Sequence, residues 1–195
     1  MIIIADNDII HKLVLCDLLD ELLDWLQVPP NEIWVLPTLK FWVRKKLKSN
    51  PVAREHFDHF LQVTAEIPAA SPCNLARFDM LDVGEQQLVT VLVEQNDTSK
   101  LISGEKRALK QLAELTNRDA LLLHKLNGNV DCLEGIMLEL IRQFGFETIN
   151  QKVSPEADGV FRLAFGIGKT EIDAIAALQS YLQDLRCNTP FVTSC

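Results

Sequence analysis

The first eight residues, Met1-Ile-Ile-Ile-Ala-Asp-Asn-Asp8, constrain the fold most. An apolar, β-branched run bounded by polar residues reads as a short strand buried on both faces, as at the centre of a parallel sheet. Asp6 and Asp8 follow at its C-terminal end, the edge where open α/β sheets bind ligands. Two neighbouring carboxylates repel each other, and a divalent cation is the usual compensation. The alternative is structural, with Asp8 capping the next helix and Asp6 held by backbone amides.

The 195 residues are enough for one domain with a real core, and 48% hydrophobic with 24% charged residues excludes a disordered chain. No run reaches the eighteen apolar residues of a membrane span, and the N-terminus lacks a signal-peptide pattern. No membrane partner and a cytoplasmic location are therefore expected. Cys16, Cys73, Cys132, Cys187 and Cys195 are odd in number and lack a Cys-x-x-Cys pair, which argues against a disulfide framework or zinc site. A formal charge of −8 restricts any nucleic-acid binding to a local patch.

Apolar residues from Ile9 to Leu26 recur at helical spacing, with Asp17, Asp20, Glu21 and Asp24 on a solvated face. Pro29-Pro30 stops this helix, and Ile33 to Leu36 reads as a second buried strand. Thr38 then caps a helix to Lys48 that carries Lys40, Arg44, Lys45, Lys46 and Lys48. If the first two strands are parallel, this basic segment starts at the same edge as Asp6 and can bind phosphate. It reads equally as a solvated amphipathic helix with Phe41, Trp42 and Leu47 inward. A helix is expected over residues 51–67, whose His56, Asp58 and His59 lack a third ordered ligand, and residues 68–76 read as a surface loop.

Asp82 opens another helix, and Glu85 at its third position completes a capping box with Asp in place of the usual hydroxyl. Leu101-Ile-Ser103 is a third strand, so Glu105 emerges at a strand end as Asp6 does. Asn129 to Asp131 is a candidate strand, and Leu133 to Ile141 a core helix. Ser154-Pro155 starts a helix that Gly166 ends. Gly166-Ile-Gly-Lys-Thr170 fails as a phosphate loop, because position 163 is Leu and no strand leads into it. Thr170 with Asp173 caps the last helix, with Ile172, Ile175, Ala176, Leu178, Leu182 and Leu185 inward.

The Asp6-Asn-Asp8 strand end, the Asp82-Val-Gly-Glu85 helix start and Ser103-Gly-Glu-Lys106 after a strand resemble, in this order, the PIN-like domain, the α/β nuclease fold of VapC-type toxins. The resemblance covers residues 1–145 and implies a three-layer α/β/α sandwich around a short, mainly parallel sheet. Residues 146–195 are then a C-terminal helical extension packed on the same domain. It further implies an endoribonuclease with a magnesium or manganese site that activates water against a phosphodiester. Asp6, Glu85 and Glu105 would be catalytic. Asp6, Asp8, Asp82, Glu85 and Glu105 would be metal ligands, and Lys40, Arg44, Lys45, Lys48 and Lys106 would hold RNA. An antitoxin-like protein and a second copy of the chain are the partners so implied.

Two departures bear on activity. Glu105 stands where the family has Asp, and the helix after the second strand has Lys40 where a glutamate is usual. A lysine there opposes a dication and favours a phosphate. A catalytically silent, partner-binding member of the fold is the first alternative. A haloacid-dehalogenase-like phosphatase is the second, since it shares the Asp-x-Asp strand end and could use Ser103 and Lys106. It lacks the late Gly-Asp-x-x-x-Asp pattern and has Ile10 where Thr is usual.

Overall fold

In the computed structural model, which describes residues 1–95, 99–154 and 156–193, the opening Ile run is strand β1 (Ile3–Ala5), at the centre of a five-stranded sheet. The other strands are β2 (Ile33–Val35), β3 (Ala65–Glu66), β4 (Lys100–Ser103) and β5 (Val130–Cys132). All pairings are parallel, in the order β3-β2-β1-β4-β5. Such pairing requires crossovers, which place helices on both faces. The result is the expected α/β sandwich.

Strand periodicity divides the core in two. Ile3 and Ala5 face one apolar cluster. It is built by α1 (Asn7–Leu15), α2 (Leu19–Leu26), α3 (Leu39–Lys46), α4 (Pro51–Val63) and, later in the chain, α9 (Leu133–Phe144). Ile4 faces the other, formed by α6 (Val83–Glu94), α7 (Lys106–Thr116) and α8 (Ala120–Leu126). The short α5 (Pro72–Leu75) precedes α6.

The C-terminal segment packs on these same clusters. Phe146 and Ile149 of α10 (Phe146–Lys152), and Phe161 and Ala164 of α11 (Phe161–Ala164), join the first. The long α12 (Glu171–Asn188) places Ala174 and Leu178 in the first cluster and Leu182 and Leu185 in the second. Val192 then forms a parallel bridge with Val130 at the open edge of β5. Among the described residues, no helix is long and apolar enough to cross a membrane.

Several local expectations are corrected. The helix read from Ile9 to Leu26 is two helices, broken at Asp17 with φ 52°. Leu18 N–H reaches back to Leu13 O at 2.9 Å, the six-to-one bond of a helix stop, and Asp tolerates the left-handed turn. Apolar periodicity resumes beyond Asp17, which is why the break is silent in the pattern. The expected helix over residues 51–67 ends at Val63, and Ala65–Glu66 pair with β2 as an edge strand too short to show alternation. The supposed loop over residues 68–76 includes α5.

Phe41 is 69% exposed rather than inward, because α3 buries the i, i+4, i+8 stripe Leu39, Val43 and Leu47. Trp42 is also partly exposed. β5 sits one residue later than expected. Within the stretch expected to be one helix from Ser154 to Gly166, the only helix among the described residues is α11; Pro155 itself lies outside them. Ile172 is 81% exposed and Ala176 is exposed, leaving Ala174, Leu178, Leu182 and Leu185 as the buried stripe of α12.

Candidate active site

From β1 the chain builds outward to β2 and β3 on one side, then to β4 and β5 on the other. The reversal falls between β1 and β4, and at such switch points the connections diverge and leave a crevice at the strand C-termini. Asp6 follows β1 directly, and the register Ala5↔Ile102 brings it beside Ser103 at the end of β4. Ser103 Oγ donates to Asp6 Oδ2 at 3.1 Å, and the Glu105 backbone N–H donates to Ser103 Oγ at 3.2 Å. One hydroxyl thus ties the first carboxylate to the loop bearing the last.

Asp6, Asp8, Asp82, Glu85 and Glu105 all line a cavity of about 200 Å³, together with Asn7, Gly84, Leu36 and Trp42. Every carboxylate proposed from sequence is therefore present, and among the described residues no Lys, Arg or His is in the lining. Asp6 is 8% exposed. Burial, reinforced by the neighbouring charge of Asp8, pushes its pKa up to about 6, against the opposing pull of Ser103 and the Asp8 and Asn7 amides. Glu85, 7% exposed, is also shifted upward by burial, with Asp82 and Glu105 adding to the repulsion.

Each remaining acid has an intramolecular task. Asp82 Oδ1 accepts from Glu85 N–H at 2.9 Å, and Glu85 Oε2 accepts from Asp82 N–H at 3.0 Å, completing the expected capping box. Glu105 Oε1 accepts from Arg107 N–H at 3.2 Å and caps α7. Asp8 Oδ2 lies 2.6 Å from Lys12 Nζ, which also meets Asp158 at 2.8 Å. Although burial opposes its charge, these two partners hold the Lys12 pKa above its ordinary value. Asp8 does not cap α1; Asp6 occupies the cap position without a side-chain cap bond.

The donor set is all oxygen, which suits magnesium or manganese better than softer metals. Asn7, which also lines the cavity, has its side-chain Oδ1 buried and without a hydrogen-bond partner among the described residues. Among those residues no three His, Cys, Asp or Glu side chains are grouped closely enough to hold an ion by themselves. An ion that keeps several of its waters, as magnesium does, does not require such a cage.

The basic residues are arranged differently from expectation. Lys40 is not beside the acids: its Nζ donates to Glu66 Oε1 at 3.0 Å, and Arg44 Nε donates to Asp58 Oδ1 at 2.8 Å, both in a separate cleft. The α3 residue facing the acids is Trp42, with Lys46 Nζ 5.0 Å from its ring centroid. Lys45 and Lys48 are exposed and outside the acidic cavity. Lys106 lines a neighbouring cleft. His56 pairs with Asp17 at 2.5 Å, while Asp58 is engaged by Arg44, so the suggested histidine cluster does not assemble.

Sequence reasoning missed Ser103 as the partner of Asp6, Asn7 as a lining residue, Lys12 as the clamp on Asp8, and Trp42 as a wall. The i, i+4 spacing of Asp8 and Lys12 is a visible signal for the third. No family model, curated protein or solved structure matches this chain in the three comparisons made.

Proposed function

We propose that this protein is a magnesium- or manganese-dependent phosphodiesterase of the PIN-like kind that cuts RNA. The observation carrying this reading is the convergence of five carboxylates at the sheet's switch point, in a cavity that no basic side chain lines among the described residues. Asp6 and Glu85 would hold the ion, and Asp8, Asp82 and Glu105 would complete its acidic surroundings. When bound, such an ion supplies an activated water and stabilises charge on the phosphoryl oxygens.

The chain's own contribution is positioning. Ser103 fixes the Asp6 carboxylate, the capping box fixes Glu85, and Lys12 keeps the Asp8 carboxylate from swinging into solvent. Leu36 and Trp42 give one side of the cavity an apolar wall. Lys40, held by Glu66, lies in a separate cleft and does not enter that wall.

A silent, partner-binding role is the second reading. It is favoured by the intramolecular partners of Asp8, Asp82, Glu85 and Glu105. Manganese separates the two. If the acids bind it, a hundredfold excess over Kd raises native-state stability by about 2.7 kcal/mol, a rise in Tm of roughly 5–10 °C. The Asp6→Asn variant should show little of that rise. An equal absence of manganese stabilisation in the wild type and the variant would favour the silent role.

A further inference from the structure

A second cleft, of about 830 Å³, adjoins the acidic cavity through Asp8 and Glu105, which line both. Its far side comes from the C-terminal segment, which supplies Arg162 and Leu163 of α11 and Tyr181 of α12. This wall differs chemically from the acidic one. Lys106 Nζ lies 4.6 Å from the Tyr181 ring centroid and 2.5 Å from Glu134 Oε1. Glu134 is 1% exposed, so the ammonium is anchored from beneath and retains an open side. Arg162 is exposed and has no ion-pair partner among the described residues. Leu163 and Tyr181 leave apolar surface open in the same cleft.

Two cations that share one cleft with an aromatic ring and an exposed aliphatic side chain match a phosphate with an unpaired base. Stacking is available only to a base released from a duplex. In a chain of net charge −8, the placement of these groups next to the acids also gives direction to an incoming strand. Lys12, bridging Asp8 and Asp158, ties the same segment to the acidic cavity.

We propose that this cleft binds the single-stranded RNA flanking the scissile phosphate, with Lys106 and Arg162 taking phosphates and Tyr181 and Leu163 taking a base. The assignment deepens the nuclease reading and rests on it for the position of the scissile bond. It gives the C-terminal segment a function in substrate recognition.

The test is fluorescence anisotropy of a labelled mixed-sequence single-stranded RNA with the full chain. Calcium replaces magnesium, since it occupies oxygen sites with a looser geometry. Arg162→Glu is expected to weaken binding about tenfold or more and to lower the slope of log Kd against log salt by about 0.7 for each phosphate that is no longer neutralised. Tyr181→Leu, which keeps apolar bulk, should weaken binding at least about fivefold. Wild-type affinity in both variants, with unchanged circular dichroism, would overturn the proposal. So would binding of poly-glutamate in preference to RNA, which would assign the cleft to an acidic peptide. Cleft-dependent RNA binding without metal-dependent cutting would refute the nuclease reading alone. Cutting that ignores both substitutions would refute the cleft alone.

Discussion

Replacing Asp6 by Asn is expected to stabilise the metal-free protein at neutral pH, by up to about 3 kcal/mol. The Asp6 pKa rises from 3.8 to about 6 on folding, first through burial and then through Asp8. Each unit corresponds to about 1.4 kcal/mol. Because the shift is upward in a carboxylic acid, the native state binds a proton more tightly than the unfolded chain does. Well below pH 4 the group is protonated in both states and contributes no penalty. Stability is then lost as pH rises from about 4 through 6, and the full penalty stands above that window.

Asparagine carries no charge and its carbonyl still accepts from Ser103, so the variant escapes this penalty. Urea unfolding in EDTA at pH 7 and at pH 4 measures it. The variant's advantage should be present at pH 7 and nearly absent at pH 4. A variant less stable than wild type at both values would contradict the assignment of Asp6 as a buried, electrostatically costly group. Retaining such a residue fits a site built for a ligand, where stability is given up locally for function.

Phe161→Ala should cost about 3–5 kcal/mol, the usual range for truncating a fully buried aromatic. Phe161 is completely buried in the cluster that also contains Ile3 and Ile9, and its ring meets Phe165 edge-on with centroids 5.6 Å apart. Urea denaturation followed by tryptophan fluorescence and by circular dichroism gives the test. The two signals should shift together to a lower midpoint in one transition, because the C-terminal segment shares its core with the sheet. A small loss confined to one probe would show that residues 146–193 unfold apart from the sheet.

How much is legible in the sequence depends on the range over which each signal acts. The Ile run of β1, the Asp82 and Glu85 capping box and the Thr170 and Asp173 cap are local, and their meaning survives folding. Placing five acids at one edge follows from reading each as the residue after a strand or at a helix start. Parallel pairing then brings those positions together.

Other features depend on neighbours distant in sequence. Ser103 meets Asp6 across 97 positions, through a register that only the assembled sheet defines. Lys40 reads as a cation next to the acids until Glu66, at the end of the unforeseen β3, draws it into another cleft. Lys106 reads as an RNA-binding cation beside Glu105, but the Glu134 and Tyr181 that fix its position come from separate helices. The Asp17 break is hidden for a different reason, since a left-handed residue leaves no trace in apolar periodicity when the stripe resumes after it.

The nuclease reading stands or falls on cleavage of a mixed-sequence single-stranded RNA with magnesium or manganese, beside the Asp6→Asn variant and an EDTA control. Internal cuts that need the metal and fall to background in the variant are expected, while a small phosphomonoester stays intact. Folded wild-type protein that cuts nothing with either metal, or cutting that persists in Asp6→Asn, would contradict it.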